Sequence, residues 1–182
     1  MDEAKINTSL SDLFHFLTKE LHVDLPLCQN NPNNSVKIRF NSLDASTAKE
    51  IAKEIIQATI GDSLFWVCEY GSISGETFSK IGLMVSHSDV FVIPYHSELI
   101  DPDWFEYSHD AISCVETCLC KFDVDLYIDY CFRLDFLSNS IYIVSPTRKS
   151  VIFIYDRRVM DIATTDSSIL QKLRKQYNEF LK

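Results

Sequence analysis

The stretch Asp123–Phe136 reads DVDLYIDYCFRLDF, and the structure assigned to it decides how the rest of the chain is arranged. Val124, Leu126, Ile128, Tyr130, Phe132, Leu134 and Phe136 share one parity; Asp123, Asp125, Tyr127, Asp129, Cys131, Arg133 and Asp135 share the other. Alternation of this kind turns apolar side chains to one face and polar ones to the opposite face, so the period predicts a strand. At roughly 3.3 Å per residue the run would span about 45 Å, beyond the usual strand length, and a bulge or bend is expected along it. A slip of one residue would expose the whole apolar set, which fixes the expected register.

On that reading Asp123, Asp125, Asp129 and Asp135 line one face with only Arg133 for balance. Side chains on one strand face are roughly 6 to 7 Å apart. Two unit charges at that distance repel by about 0.6 kcal/mol in bulk water and about 2.5 kcal/mol at the effective dielectric of a protein surface. The row fits either a solvated face with Lys and Arg across from it, or a docking surface for something positively charged.

The segments on either side supply more strands than helices. Upstream, Ala111 to Phe122 is expected to form a short helix capped by Asp110, with Ile112, Val115, Leu119 and Phe122 inward. Before it, Ser63–Tyr70, Thr77–Ser86 and Val90–Pro94 read as a β-meander, with Gly71 to Gly75 as a turn. Downstream, Ile141–Ser145 and Val151–Tyr155 form a hairpin around Pro146 to Lys149, and VIFIY is apolar on both faces, as in a central strand. Towards the N-terminus, Leu10, Leu13, Phe14, Leu17 and Leu21 recur at helical spacing after Ser9, and Pro26 with NNPNN reads as a loop. Val36–Phe40 is a strand, and Ser46 to Ile60 a helix stopped by Gly61. A last helix starts at Asp166 and buries Ile169, Leu170, Leu173, Tyr177 and Phe180. The expected class is α+β, a mostly antiparallel sheet with helices packed against it, in a single domain spanning residues 1 to 182.

Composition narrows the function. The chain has 182 residues, 46% hydrophobic and 24% charged, with four glycines, five prolines and a net charge of −9, as in an ordinary globular protein. No charged-then-apolar leader and no long apolar run is visible, so a soluble cytoplasmic protein without a membrane role is expected. The charge is uneven: residues 140 to 182 hold eight Lys or Arg against four Asp or Glu, and residues 98 to 135 hold ten acids against two bases. A field of that sign repels nucleic acid and anionic membrane and attracts basic partners. The six cysteines fit small buried hydrophobes better than the disulfide scaffold of a short secreted chain.

Catalytic and metal motifs are weak. Gly71 to Gly75 reads GSISG, which resembles a nucleophile elbow, but its centre is Ile73 rather than Ser. Cys114, Cys118, Cys120 and Cys131 with His109 lack the paired short spacings of tetrahedral zinc. Asp101/Asp103 and Asp123/Asp125 lack the glycine and glutamate of a calcium loop. No metal and no cofactor is expected. His87 and His96 flank the Val90–Pro94 strand and offer a base for a cysteine nucleophile, without a group to orient either. Arg148, Lys149, Arg157, Arg158, Arg174 and Lys175 form the basic region. The stronger feature is YHSELIDPDWFEYSHD, residues 95 to 110, where Tyr95, Trp104, Phe105 and Tyr107 interleave with carboxylates. Aromatic anchors with electrostatic steering are the components of a tight binder of a basic protein.

From about Ile141 the chain resembles a family of small bacterial domains of uncharacterised function. Its members carry a hairpin, a hydrophobic-Tyr-Asp-Asp-Arg-Gly-Met-Asp-like turn and a helix ending near Tyr-Asn. The matching residues are Ile154, Tyr155, Asp156, Arg157, Arg158, Met160 and Asp161, then Tyr177 and Asn178. Arg157 stands where a second acid is common, and Val159 where the family has glycine. In composition the whole chain resembles the immunity proteins encoded beside bacterial contact-dependent or polymorphic toxins, which are small, acidic and rich in Asn, Ser, Phe and Tyr. The resemblance implies a protein, not an enzyme, that binds and occludes a cognate toxin domain, a basic nuclease. The expected partner-binding residues are Asp101, Asp103, Trp104, Glu106, Tyr107, Asp123, Asp125 and Asp129. The alternatives are a small Cys/His enzyme and an interaction module for another partner.

Overall fold

Between Ile141 and Thr164 the chain runs through three strands with almost no exposed side chain, and these form the middle of one antiparallel sheet. A computed structural model describes residues 13, 16, 27–70, 76–83, 89–94, 111–134 and 141–181. The strands are β1 (Ser35–Arg39), β2 (Phe65–Tyr70), β3 (Phe91–Pro94), β4 (Ala111–Thr117), β5 (Ile141–Ser145), β6 (Ser150–Asp156) and β7 (Val159–Thr164). Their order is β1-β7-β6-β5-β2-β4-β3, with every neighbouring pair antiparallel. The helices are α1 (Leu27–Asn30), α2 (Ala45–Ile60), α3 (Glu76–Lys80), α4 (Val124–Arg133) and α5 (Ser167–Gln176). This is the expected α+β arrangement.

Strand alternation divides the core in two. Phe65, Val67, Ile143, Ile152, Ile154, Met160 and Ile162 face one side, where they pack with Ala52, Ile55 and Ile56 of α2, Ile128 of α4 and Leu170 of α5. Trp66, Cys68, Tyr142, Val144, Phe153 and Tyr155 face the other, with Leu13, Phe16 and Leu27 over them. Apolar residues on both faces explain why VIFIY carries no polar period: β6 is central and covered twice.

The long strand expected over Asp123–Phe136 is helix α4. Asp123 caps it, its carboxylate accepting from Leu126 N over 2.9 Å, and Asp125 and Arg133 sit in the first and last turns, where each complements the helix dipole. The buried residues are Val124, Tyr127, Ile128 and Cys131, spaced i, i+3, i+4 and i+7. Tyr127 and Cys131, assigned to the polar parity, are fully buried, whereas Leu126, assigned to the apolar one, is 39% exposed. The helix expected over Ala111 to Phe122 is the reverse case. Ala111–Thr117 is strand β4, with Ser113, Val115 and Thr117 on one face and Ile112 and Cys114 on the other, followed by a single 3-10 turn at Leu119–Lys121.

The remaining elements follow the sequence more closely. Helix α2 is capped by Asp44 and ends at Gly61, whose φ of +56° suits the missing side chain. The expected strand from Thr77 begins instead as the helical turn α3. Strand β7 was expected only as a turn leading to the last helix, yet it pairs with both β6 and β1. The N-terminal helix lies outside the described residues apart from Leu13 and Phe16, both buried.

Candidate functional site

Helix α4 redistributes the acidic row. Asp123 is spent on the cap, Asp125 meets Lys53 at 2.5 Å, and Asp129 meets Lys49 at 2.5 Å with Arg133 at 3.9 Å. Both lysines belong to α2, and their order opposes that of the aspartates, so α2 and α4 lie side by side and antiparallel. Two of the three carboxylates therefore bridge the helices and the third caps its own, rather than forming a strip 6 to 7 Å apart. Such exposed pairs contribute about 0.2 to 1 kcal/mol each. The other expected partner-binding residues, Asp101, Asp103, Trp104, Glu106 and Tyr107, lie outside the described residues, as do all five histidines.

The described strands do fix where that acidic segment is attached. Pro94 of β3 and Ala111 of β4 are partners in the antiparallel ladder, so residues 95 to 110 leave and re-enter the sheet at one point. A hairpin connection needs only about two to five residues. The length of this one is therefore not set by the fold. Segments 71 to 75 and 135 to 140 attach at the same end of the sheet, after Tyr70 of β2 and before Ile141 of β5. Glu69 is buried at that end between Ser113 and Ile141, its Oε1 accepting from the Thr77 hydroxyl over 2.5 Å.

A second polar cluster sits on the other face, at the β1 side of the sheet. Asp161 is fully buried; its Oδ2 accepts from the Tyr155 hydroxyl at 2.8 Å and from Cys28 N at 3.1 Å, and Lys37 Nζ approaches Oδ1 at 3.4 Å. Lys37 also lies 5.1 Å from the centre of the Tyr155 ring. Burial, then the Asp161 charge, pushes the Cys28 thiol up to about 12, and the same two causes push the Tyr155 phenol up. Both side chains stay protonated at neutral pH, which makes Tyr155 a hydrogen-bond donor and Cys28 a poor nucleophile. The cluster anchors α1 to the sheet. Sequence reasoning missed Asp161 and Lys37 as partners; the one signal was the resemblance, which includes Tyr155 and Asp161 in its turn.

The adjoining turn is also self-contained. Asp156 is buried, with Oδ1 accepting from Arg158 N at 2.7 Å and Oδ2 from Arg158 Nε at 2.8 Å, and the Arg158 carbonyl receives Phe40 N. Elsewhere in the basic region Arg174 donates to the Ser35 carbonyl at 3.3 Å, and Arg148 Nε donates to the Thr59 carbonyl at 3.4 Å at the end of α2. A cavity of about 110 Å³ beside Arg148, Ser168 and Lys172 has room for only a few waters. Among the described residues no group of three His, Cys, Asp or Glu is placed to hold a metal ion. Of the sulfurs weighed as zinc ligands, Cys114 and Cys131 are buried in β4 and α4, while Cys118 and Cys120 lie 3.0 Å apart near the surface. Among the described residues no helix is long and apolar enough to cross a membrane.

No curated protein and no solved structure matches the chain. The sequence model of one family, described as "Domain of unknown function (DUF3885)", matches residues 4–182. Because that match takes in the strands, the helices and both polar clusters, the chain belongs to the DUF3885 family.

Proposed function

We propose that the protein is a binding module that neutralises a basic protein domain, the toxic nuclease of a bacterial effector, by covering its active or substrate-binding surface. The observation that carries this reading is the connection between β3 and β4. It is closed at its base by Pro94 and Ala111, and holds five carboxylates, four aromatic side chains and no Lys or Arg. Carboxylates at Asp101, Asp103 and Glu106 would stand in for substrate phosphates, while Trp104 and Tyr107 supply buried anchor area. Asp123, Asp125 and Asp129 have a smaller part in the reading, because their charges are already engaged by the helix cap and by Lys49 and Lys53.

The test is binding to the basic domain encoded beside this gene, followed kinetically across a salt series. Association should slow steeply as salt rises. Neutralising Asp101, Asp103 and Glu106 together should lower the association rate, and Trp104→Ala should raise the dissociation rate at a cost of about 2 kcal/mol or more. Salt-independent binding, or full protection by a variant lacking both Trp104 and the three acids, would place the interface elsewhere.

A further inference from the structure

The turn that joins β4 to α4 carries two cysteines, at positions 118 and 120, that no core contact explains. Cys120 is exposed and Cys118 half-exposed, and their sulfurs lie 3.0 Å apart, about 1 Å beyond a disulfide bond. Between them Leu119 packs against the core, and the Cys118 carbonyl accepts from Lys121 N at 2.9 Å, so the backbone of the turn is set independently of the thiols. Residues two apart reach about 7 Å only at full extension, and the 3-10 turn that starts at Leu119 holds this pair closer, inside the Cα range of a disulfide. The neighbouring Cys118 sulfur raises the Cys120 thiol, against a smaller opposing pull from the Lys121 ammonium, so Cys120 is the attacking sulfur because it is the exposed one of the pair.

We propose that Cys118 and Cys120 form a redox modification site, a dithiol that closes to an intramolecular disulfide when it meets a low-molecular-weight disulfide such as oxidised glutathione. The Cys120 thiolate attacks one sulfur of the oxidant, and one thiolate leaves. Cys118 then attacks the Cys120 sulfur of the mixed disulfide and expels the second. Two protons pass from the protein to the two leaving thiolates, the protein is oxidised by two electrons, and the small disulfide is reduced to two thiols.

The other cysteines provide an internal contrast. Cys68 and Cys114 face each other across β2 and β4, but both are buried, so no soluble oxidant reaches them. Cys131 is buried in α4, and Cys28 keeps its proton to about 12. Reactivity is therefore confined to one turn.

The experiment treats the folded full-length chain with oxidised glutathione, blocks remaining thiols, and digests after Glu116 and Lys121 to isolate Thr117–Lys121, which holds only this pair. The expected result is the loss of two of the six thiols, with that peptide lighter by two hydrogens and carrying no adduct. Cys118→Ser should instead stop at a stable glutathione adduct on Cys120, since nothing resolves it. An unreacted peptide, an adduct in the unaltered chain, a Cys120-linked dimer, or a Cys118→Ser chain that takes no adduct would each overturn the proposal.

Discussion

The Tyr155 hydroxyl donates to Asp161 Oδ2 over 2.8 Å, and this contact spans the turn by which β6 folds back onto β7. Tyr155 is the extra residue of a β-bulge, since Ile154 pairs with Met160 and Asp156 with Val159. Tyr155 lies two residues beyond Phe153, the ladder partner of Asp161, so strand alternation places it on the face that Asp161 occupies. With Cys28 N and Lys37 also engaged, one carboxylate fixes β1, β7, the bulge and α1 to one another.

Asp161→Ala should cost about 2 to 6 kcal/mol, because two buried donors, the Tyr155 hydroxyl and Cys28 N, lose this acceptor at about 1 to 3 kcal/mol each, while the partly exposed Lys37 can turn to water. Tyr155→Phe removes one donor and should cost about 1 to 3 kcal/mol. At about 2 to 4 °C per kcal/mol for a chain of this size, calorimetry separates the two. Equal melting temperatures for both variants would mean that Tyr155 accounts for all of the carboxylate's contribution.

Helix α4 makes the opposite forecast from a strand at two positions. Cys131→Asp should unfold the protein or make it insoluble, as Ile128→Asp should, because both residues lie at under 2% exposure in the core. Leu126→Asp should be tolerated. Were the segment a strand, Leu126 would be the damaging site and Cys131 the tolerant one, and thermal melts of the three variants decide between them.

Stability should decline on the alkaline side. Burial, then the Asp161 charge, raises the Cys28 thiol from 9.0 to about 12, and burial, then Glu54, raises Tyr177 from 10.0 to about 12. The unfolded chain loses these protons first. The stabilisation is therefore complete below about pH 9 and lost as pH climbs towards 12. Urea midpoints at about pH 8 and about pH 10.5 should fall for the unaltered protein and fall less for Cys28→Ser with Tyr177→Phe. A midpoint that holds steady across that interval in the unaltered protein would contradict the raised values.

Replacing residues 95 to 110 by an Asn-Gly turn should leave the melting temperature within a few degrees, because Pro94 and Ala111 are already opposite each other and a two-residue turn closes that gap. Binding of the basic partner should be lost. A large drop in stability would assign the aromatics of the segment to the core rather than to a partner.

How much of this was legible beforehand depended on whether two periods could be told apart. In Asp123–Phe136 the apolar set at 124, 128 and 132 satisfies both a twofold and a 3.6-fold repeat, because a spacing of four belongs to each. Tyr127 and Cys131 decide the matter: Tyr is at home on either side of a protein surface, while Cys is usually buried and was the sign against the polar parity. Asp123, three residues ahead of the Leu126 N–H it caps, was the local sign of a helix start. In Ala111–Thr117 the same ambiguity ran the other way, with Ile112, Val115 and Leu119 mimicking helical spacing while the β-branched Ile, Val and Thr favoured a strand. Asp161 and Glu69 were invisible because a carboxylate in an alternating run is expected to face water, and only the partners brought by distant strands permit its burial.

The pairing of β1 with β7 also sets an order of events in synthesis. Strands β5, β6 and β7 follow one another and can pair as they emerge, whereas β1 has no ladder partner until Val159 and the residues after it have been made. Roughly 120 residues separate β1 from β7, which at roughly 5 to 20 residues per second is about 6 to 25 s of translation. Throughout that interval β1 lacks its ladder partner and α2 lacks the Ile152, Ile154, Met160 and Ile162 side of its core, so this N-terminal portion, rather than the late meander, is the part of the nascent chain most exposed to aggregation and to chaperones.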